Sequence, residues 1–282
     1  MPFVTAKHML FKAQEGRYAV PAFNIENMEM AQAVIRAADD LKSPVIIQTT
    51  PSTVRYGGMG LYAAMVSCLA GTVKTPVSLH LDHGDSYALC VQAIGAGYSS
   101  LMIDGSKLTF NENIAVTEKV SEMAKALDIP VEGELGAVGG KEDDLVSAGP
   151  VYTDPDEAVE FVERTGVFSL AIGIGTAHGI YNGVPVLDMQ RIIDITRKVS
   201  VPLVLHGTSG VPESDVRKCI RSGICKVNYA TDLRIAFTDG VREAICEYPG
   251  AYDPKVYLKA GRERVYETVK ARIELCGSQR QA

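Results

Sequence analysis

Three histidines stand at or just beyond the ends of short apolar runs: His83 after PVSLHLD, His178 after SLAIGIG and His206 after PLVLH. One such histidine alone is more often structural than a ligand. Three neutral imidazoles that leave a coordination position open describe a catalytic Zn²⁺ site, provided that the fold brings them together. Such a metal polarises a carbonyl or stabilises a developing oxyanion. Of the other two histidines, His8 is expected on a surface helix and His80 inside a strand as a core or supporting residue.

Carboxylates surround the proposed metal. Asp82 precedes His83, and because side chains alternate along a strand, the two point to different places unless the strand has already turned. Asp82 is therefore predicted to act as an acid or base beside the metal. Asp104 ends the next apolar run, while Glu132 and Glu134 share one strand face. Structural hydrogen bonds would explain these residues, but Asp104 and Glu134 also suit a second divalent position or an alternative ligand set.

Three segments are rich in small residues: GTAHG (175–179), HGTSGV (206–211) and VNYATD (227–232). Backbone N–H groups and hydroxyls in such loops can hold a phosphate, and the set predicted to do so is Gly207, Thr208, Ser209 and Thr231. A fourth segment, 134–150, is long, glycine-rich and polar, as an active-site lid would be. Its carboxylates Glu142, Asp143 and Asp144 could enter the site when it closes, although a solvated loop has the same composition.

Eight short apolar runs alternate with stretches of helical period, and this pattern predicts either a (β/α)8 TIM barrel or a doubly wound sheet. No Rossmann glycine fingerprint follows the first run. The polar residues lie at the carboxyl ends of the runs, which converge on one face only in a closed barrel. We therefore predict a (β/α)8 barrel with additional C-terminal helices, formed by residues 1–282 as a single domain. The predicted strands are 18–24, 44–50, 76–82, 99–104, 131–135, 169–175, 202–206 and 225–228, and three of the predicted helices are 27–41, 113–127 and 154–165.

Composition narrows the class of protein. The chain has 282 residues, a net charge of −6 and no basic run, which argues against nucleic acid or a membrane surface as partner. Its six cysteines form no CxxC pair, as expected of reduced thiols. No apolar run approaches the roughly 20 residues of a membrane span, and the first residues do not resemble a signal peptide. A cytoplasmic protein is expected.

Five motifs together carry a resemblance to a known family: HLDH at 80–83, VEGELGAVGGKEDD at 131–144, GTAHG at 175–179, LHGTSG at 205–210 and KVNYAT at 226–231. They resemble the class II, zinc-dependent ketose-bisphosphate aldolases over essentially the whole chain. PAFN, GIGTAHG and GICKVN look closest to the tagatose-1,6-bisphosphate branch, whereas HLDHG and RYGG lean toward the fructose-1,6-bisphosphate branch.

The resemblance implies reversible cleavage of a ketose 1,6-bisphosphate to dihydroxyacetone phosphate and glyceraldehyde 3-phosphate. It implies Zn²⁺ on His83, His178 and His206, with a monovalent cation near the phosphate. It also implies that Asp82 exchanges the proton of the C4 hydroxyl, that Glu142 moves the proton at C3 and that Asn228 hydrogen-bonds the enediolate. The substrate-binding positions that it implies are Asn24, Thr50, Gly179, Gly207, Thr208, Ser209, Asn228, Tyr229, Ala230, Thr231 and Lys255.

Several alternatives stay open at this stage. Lys255 stands where the family commonly has an arginine for the distal phosphate of a neighbouring subunit, so the substrate could be another phosphorylated keto-sugar. Lys226 shares the strand parity of Asn228 and could serve a Schiff-base aldolase. A non-catalytic sugar-phosphate-binding subunit would keep the same fold. The resemblance implies a homodimer or homotetramer, and in the tagatose branch often a non-catalytic partner subunit.

Overall fold

The computed structural model describes residues 2–142, 145–147, 151–179, 181, 183 and 185–282, and gives only the backbone for 141, 142 and 145–147. The strands are β1 (Val20–Asn24), β2 (Val45–Thr49), β3 (Val77–Gly84), β4 (Ser100–Ile103), β5 (Val131–Leu135), β6 (Gly139–Glu142), β7 (Leu145–Ser147), β8 (Ser169–Ile172), β9 (Ala177–His178), β10 (Leu203–Leu205) and β11 (Ile224–Tyr229). The helices are α1 (Lys7–Gly16), α2 (Met28–Leu41), α3 (Pro51–Gly57), α4 (Met59–Ala70), α5 (Tyr87–Ala96), α6 (Phe110–Lys125), α7 (Pro155–Thr165), α8 (Met189–Lys198), α9 (Glu213–Ser222), α10 (Thr231–Glu247) and α11 (Pro254–Cys276).

Eight parallel strands close into a barrel in the order β1-β11-β10-β8-β5-β4-β3-β2. Every residue of these strands is buried, because the strands face the barrel interior on one side and the helices on the other. The predicted (β/α)8 barrel is thus confirmed. The carboxyl ends of the strands all point to one end of the barrel, where the predicted site residues were expected to converge.

Local sequence signals set the helix bounds. Helix α2 begins after Asn27, whose side chain accepts a hydrogen bond from the Met30 amide at 2.9 Å. Helix α7 has Asp154 as its cap and Pro155 at its first position, as predicted. Helix α6 begins before the predicted residue 113, because Thr109 and Glu112 form a capping box at its start.

Two helices follow the last barrel strand, which confirms the predicted C-terminal extension. Helices α10 and α11 pack against each other, and α11 also packs on α2. At the opposite end of the chain, α1 covers the amino end of the barrel and buries Met9, Leu10 and Ala13 beside Val20.

A second, small sheet lies outside the barrel and was not predicted. It has the order β7-β6-β9, with β6 and β7 antiparallel and β6 and β9 parallel. The segment 169–175, predicted as one strand, ends at Ile172, and His178 lies six residues further on in β9.

All six cysteines are free, in agreement with the prediction of reduced thiols. Within the described residues, no helix combines the length and the apolarity that crossing a lipid bilayer requires.

Candidate active site

The three predicted histidines converge at the carboxyl end of the barrel. His83 lies near the end of β3, His206 follows β10, and His178 lies on β9. One ring nitrogen of each lies within 4.8 Å of the others. The ring centroids of His83 are 4.7 Å from those of His206 and 5.2 Å from those of His178. The fold therefore brings together three side chains that are up to 123 residues apart in sequence.

Carboxylates behind two of these rings indicate which nitrogens carry protons. His83 Nδ1 lies 2.8 Å from Asp104 Oδ2, and His206 Nε2 lies 2.9 Å from Glu132 Oε1. A carboxylate accepts a hydrogen bond, so these two nitrogens are assigned the N–H. The opposite nitrogens, His83 Nε2 and His206 Nδ1, then carry lone pairs, and they face each other at 3.1 Å.

Two lone pairs that face each other repel unless a cation lies between them. Two nitrogens bound to one tetrahedral Zn²⁺ stand about 3.3 Å apart, close to the observed separation. Carboxylates that fix the tautomer from behind are the usual second layer of a histidine-bound zinc. The three histidines therefore fit a zinc ion.

A β-bulge explains how neighbouring residues of β3 both reach the site. Leu81 pairs with Leu101 and Gly84 with Ile103, so β3 contains one residue more than β4 over this stretch. His83 has a φ of +48°, in the left-handed region. The strand thus turns at His83, so the alternation from which the role of Asp82 was predicted does not hold at this point, and the two side chains are not forced to opposite faces.

Asp82 is buried and held by two amides. Its Oδ2 accepts a hydrogen bond from Asn24 Nδ2 at 2.8 Å, and its Oδ1 accepts one from Asn228 Nδ2 at 3.2 Å. Gln48 in turn donates to Asn24 Oδ1 at 3.0 Å. These contacts fix the Asp82 carboxylate between Asn24 and Asn228, two side chains that line the cavity next to His178.

Glu132 and Lys226 form a buried ion pair behind His206. Lys226 Nζ lies 2.7 Å from Glu132 Oε2, and neither side chain is more than 2% exposed. Burial would raise the pKa of Glu132, but the Lys226 ammonium and the hydrogen bond from His206 hold that pKa well below its usual range. Burial, together with Lys226, lowers the pKa of the neighbouring His80 well below its ordinary value. His80 is therefore neutral, and its Nδ1 lies 2.7 Å from Ser100 Oγ.

The two predicted alternative ligands lie close to the histidines. Burial would raise the pKa of Asp104, but its hydrogen bonds with His83 and Ser106 hold that pKa well below its usual range. Glu134 Oε2 lies 3.5 Å from His206 Nδ1. His83, Asp104 and Glu134 also form a compact group that could hold an ion. In the observed geometry, however, Asp104 binds the outer nitrogen of His83 and orients the ring.

The predicted phosphate loops line a cavity next to His178. Helix α10 begins at Thr231, which lines this cavity together with Ala230. The amide of Asp232 donates to Ser209 Oγ at 3.2 Å and so joins two of the loops. The lining residues are Asn24, His178, Gly179, Gly207, Thr208, Ser209, Asn228, Ala230, Thr231 and Arg234.

Arg234 was not predicted from the sequence, although it lines the same cavity. It lies one turn into α10, and its guanidinium contacts Glu26 Oε1 at 2.6 Å. Glu26 Oε2 also accepts a hydrogen bond from Thr53 Oγ1 at 2.8 Å. The spacing of one helical turn from Thr231 is the signal that could have identified this cation.

Three predicted substrate-binding residues lie apart from the cavity. Thr50 is buried at the start of α3, where its hydroxyl contacts that of Thr53. The Tyr229 ring stacks on Phe23, and its hydroxyl lies 3.6 Å from Cys276 Sγ, so this side chain faces the outer helices. Only the backbone of Tyr229 is available to a ligand, since its side chain has the opposite parity to that of Asn228.

Lys255 lies at the start of α11 and is not among the residues that line the cavity. Its side chain is 87% exposed and pairs with Asp253 at 2.9 Å. A role for Lys255 in phosphate binding therefore requires a neighbouring subunit.

The predicted lid residues lie partly outside the described residues. Glu142 is the last residue of β6, its side chain is not described, and Asp143 and Asp144 lie outside the described residues. The backbone of β6 pairs with β9, with Gly140 opposite His178. A β-carbon on Gly140 would lie 2.2 Å from the His178 carbonyl oxygen, so the two segments approach as closely as glycine allows.

The eight parallel strands form a closed barrel, and imidazoles and buried carboxylates converge at the carboxyl end of these strands. This arrangement is typical of barrel enzymes, whose active sites lie at that face. The chain belongs to the family of class II fructose-bisphosphate aldolases, whose family model matches residues 4–281. It is therefore a lyase, and metal dependence is a general property of its class.

Individual relatives agree with this assignment. The D-tagatose-1,6-bisphosphate aldolase subunit GatY of Klebsiella oxytoca is 44% identical to the chain over 283 residues, with all of both chains covered. The crystal structure of the YdjI aldolase from Escherichia coli K12 is 35% identical, with a TM-score of 0.88 and 99% of each chain covered. A putative fructose-1,6-bisphosphate aldolase from Coccidioides immitis is 28% identical, with a TM-score of 0.88 over 97% of this chain and 96% of that one.

Proposed function

We propose that the protein catalyses zinc-dependent, reversible aldol cleavage of tagatose 1,6-bisphosphate to dihydroxyacetone phosphate and glyceraldehyde 3-phosphate. The observation that carries this proposal is the pair of facing lone pairs on His83 and His206, with His178 beside them and Asp82 fixed next to them. Tagatose is favoured as the ketose because the GatY relative, named for that sugar, is 44% identical over the whole chain.

His83, His178 and His206 would hold the zinc ion. When bound, zinc supplies a Lewis acid that polarises the ketose carbonyl and stabilises negative charge on its oxygen. Asp104 and Glu132 fix the orientation of two of the rings by accepting their outer N–H groups. A second divalent position at Asp104 and Glu134, and a monovalent cation near the phosphate, are further parts of this proposal.

In the cleavage direction, Asp82 takes the proton of the C4 hydroxyl. The C3–C4 bond then breaks, the C4 oxygen becomes the aldehyde oxygen of glyceraldehyde 3-phosphate, and the bonding electrons remain on dihydroxyacetone phosphate as an enediolate. Glu142 delivers a proton to C3, and Asn228 donates a hydrogen bond to the enediolate oxygen. Asn228 Nδ2 already donates a hydrogen bond to Asp82. The same side-chain amide would therefore contact both the base and the enediolate.

The cavity of small residues beside His178 would bind the phosphate of dihydroxyacetone phosphate. The start of α10 and the hydroxyls of Thr208, Ser209 and Thr231 offer hydrogen-bond donors. Arg234 adds a positive charge in a chain whose net charge is −6. The phosphate would compete with Glu26 for this guanidinium.

Fructose 1,6-bisphosphate is the second candidate substrate, because the matching family and one of the similar structures carry that sugar in their names. The two sugars differ only in configuration at C4, where Asp82 would act. Another phosphorylated keto-sugar would use the same residues. A homodimer or homotetramer would give Lys255 a neighbouring site to reach, and the word subunit in the GatY name suggests a partner chain.

The test is to measure cleavage of tagatose and fructose 1,6-bisphosphates side by side, before and after EDTA treatment and after Zn²⁺ is restored. We expect cleavage that EDTA abolishes and zinc restores, with a higher kcat/KM for tagatose 1,6-bisphosphate. Cleavage that resists EDTA would reject the zinc mechanism. Binding of both sugars with no cleavage by the zinc-loaded protein would favour a non-catalytic sugar-phosphate-binding subunit.

A further inference from the structure

We infer that Lys226 is a positioning residue of the metal site, which acts through Glu132 to fix the ring of His206 with its lone pair toward the metal. The inference rests on the proposed zinc site. It gives a role to a buried lysine that takes no part in the cleavage steps.

Three consecutive contacts connect the lysine with the metal side of His206. Lys226 Nζ lies 2.7 Å from Glu132 Oε2, Glu132 Oε1 lies 2.9 Å from His206 Nε2, and His206 Nδ1 faces His83 at 3.1 Å. The side chains of Lys226, Glu132 and His206 are all at most 2% exposed. With so little access to water, each polar group depends on its protein partner.

The carboxylate of Glu132 requires a compensating charge at this depth. An isolated buried carboxylate is strongly disfavoured, whereas a paired one persists. Among the described residues, the titratable groups that face Glu132 are Lys226, His206 and His80. His206 contacts the other carboxylate oxygen, Oε1, and His80 Nε2 lies as far as 4.0 Å from Oε2. Lys226, at 2.7 Å, is thus the group that holds Glu132 Oε2 in place.

The orientation of the Glu132 carboxylate decides the direction in which His206 can coordinate. Held by Lys226, Glu132 Oε1 accepts the Nε2–H, so the Nδ1 lone pair points to the metal. Without Lys226, Glu132 Oε2 loses its partner at 2.7 Å, the carboxylate is no longer held in place, and the Nε2–H of His206 loses its fixed acceptor. Removal of the lysine therefore weakens metal binding without removing any ligand.

The same geometry argues against Lys226 as a Schiff-base nucleophile. Its ammonium is held at 2.7 Å by Glu132 Oε2, the carboxylate oxygen that does not contact His206. A nucleophilic amine needs a free lone pair directed at the substrate carbonyl.

The experiment compares three variants with the wild-type full-length protein: Lys226→Met, Glu132→Gln combined with Lys226→Met, and Lys218→Met. Lys218 is an exposed lysine on α9 that pairs with Asp215 and serves as the control for the same chemical change. Zinc affinity is measured by competition with a chromophoric chelator, and the protonated nitrogen of His206 is identified from histidine ring ¹H–¹⁵N NMR spectra. Circular dichroism establishes folding.

We expect Lys226→Met to raise the zinc Kd about 10- to 100-fold, as other changes behind a metal ligand do. The Nε2–H signal of His206 should be lost in the same variant, and Lys218→Met should match the wild type. The double variant should recover most of the affinity, because a neutral amide can accept the Nε2–H without a compensating charge. A lysine needed only for packing would show no such recovery.

Unchanged zinc affinity and a retained Nε2–H in Lys226→Met would overturn the inference. If Lys226→Met does not fold, the double variant decides: a folded double variant with near wild-type affinity supports the inference, and an affinity lowered 100-fold overturns it. Wild-type protein that binds no zinc would instead reject the proposed function, so the two failures are distinguishable.

Discussion

The three histidines are held in two different ways. His83 and His206, here called the barrel histidines, are at most 9% exposed. His83 is fixed by Asp104, which follows the neighbouring strand β4, and His206 by Glu132 on β5, two strands away in the barrel. His178, the loop histidine, is half-buried on a two-residue strand outside the barrel. Its backbone is joined to β6, the strand that ends at Glu142.

This difference separates a fixed part of the site from an adjustable part. The barrel histidines depend on strands that hydrogen-bond on both sides, so their rings can move little. The loop histidine shares a small sheet with the segment that carries the proposed proton donor. A change in the paired strands β6 and β7 would therefore reach His178 through backbone hydrogen bonds, while His83 and His206 stayed in place.

The largest effect is expected from Asp82→Ala, which removes the proposed base from the fixed part. General acid–base catalysis contributes about 10²- to 10⁴-fold, so kcat should fall by that amount. Zinc content, measured by atomic absorption, should match that of the wild-type protein because Asp82 is not among the predicted ligands. A near wild-type kcat would contradict the role of Asp82.

Asp104→Ala tests the carboxylate that fixes one barrel histidine. Alanine removes the acceptor of the His83 Nδ1–H, so the ring is no longer held with its Nε2 toward the metal. We expect a zinc affinity about 10- to 100-fold lower, measured by chelator competition. Asp85→Ala, which removes an exposed carboxylate nearby, is the control and should leave the affinity unchanged. Equal affinities in the two variants would show that Asp104 does not orient His83.

Gly140→Ala tests the adjustable part. Gly140 has a φ of +86°, and an added β-carbon would lie 2.2 Å from the His178 carbonyl oxygen. The β6–β9 pairing should separate, and zinc affinity should fall about tenfold, which corresponds to about 1.4 kcal/mol.

Gly166→Ala provides the matched control for that change. Gly166 also has a positive φ, +61°, but no atom lies within 4 Å of the added β-carbon. Both variants should lose about 1–2 kcal/mol of unfolding free energy from backbone strain, and only Gly140→Ala should weaken zinc binding. Equal zinc affinities would refute the coupling between β6 and His178.

The smallest effect is expected from Lys255→Gln, outside both parts of the site. Unfolding and zinc binding should not change, because the side chain is 87% exposed. If a neighbouring subunit presents Lys255 to the distal phosphate, KM for the bisphosphate should rise by up to about fivefold. An unchanged KM would exclude Lys255 from the substrate site.

The barrel fold could be predicted from the sequence because barrel strands are short apolar runs with polar residues at one end. All eight predicted strands overlap the observed ones, and Asp82, His83 and His206 lie where the pattern indicated. Strand parity could also have placed Tyr229 correctly, since Lys226 and Asn228 face inward and the residue after Asn228 must face outward.

Other features depend on contacts between distant segments and leave no local signal. The β9 strand exists because Gly139 and Gly140 pair with it, so a periodic pattern around His178 could not reveal it. The Glu132–Lys226 pair joins residues 94 positions apart. The sequence placed Glu132 on the same strand face as Glu134. Its partner Lys226 lies on a distant strand, so only the three-dimensional structure of the barrel identifies the pair.

The left-handed backbone at His83 has a consequence for stability. A non-glycine residue in this conformation is strained by about 1–2 kcal/mol, so the residue that best suits the backbone at position 83 is not the residue that best suits the chemistry. His83→Gly should therefore unfold at a higher denaturant concentration than His83→Ala, although both lack the imidazole. Selection for stability alone would move this position toward glycine, at the cost of the imidazole proposed to hold the metal.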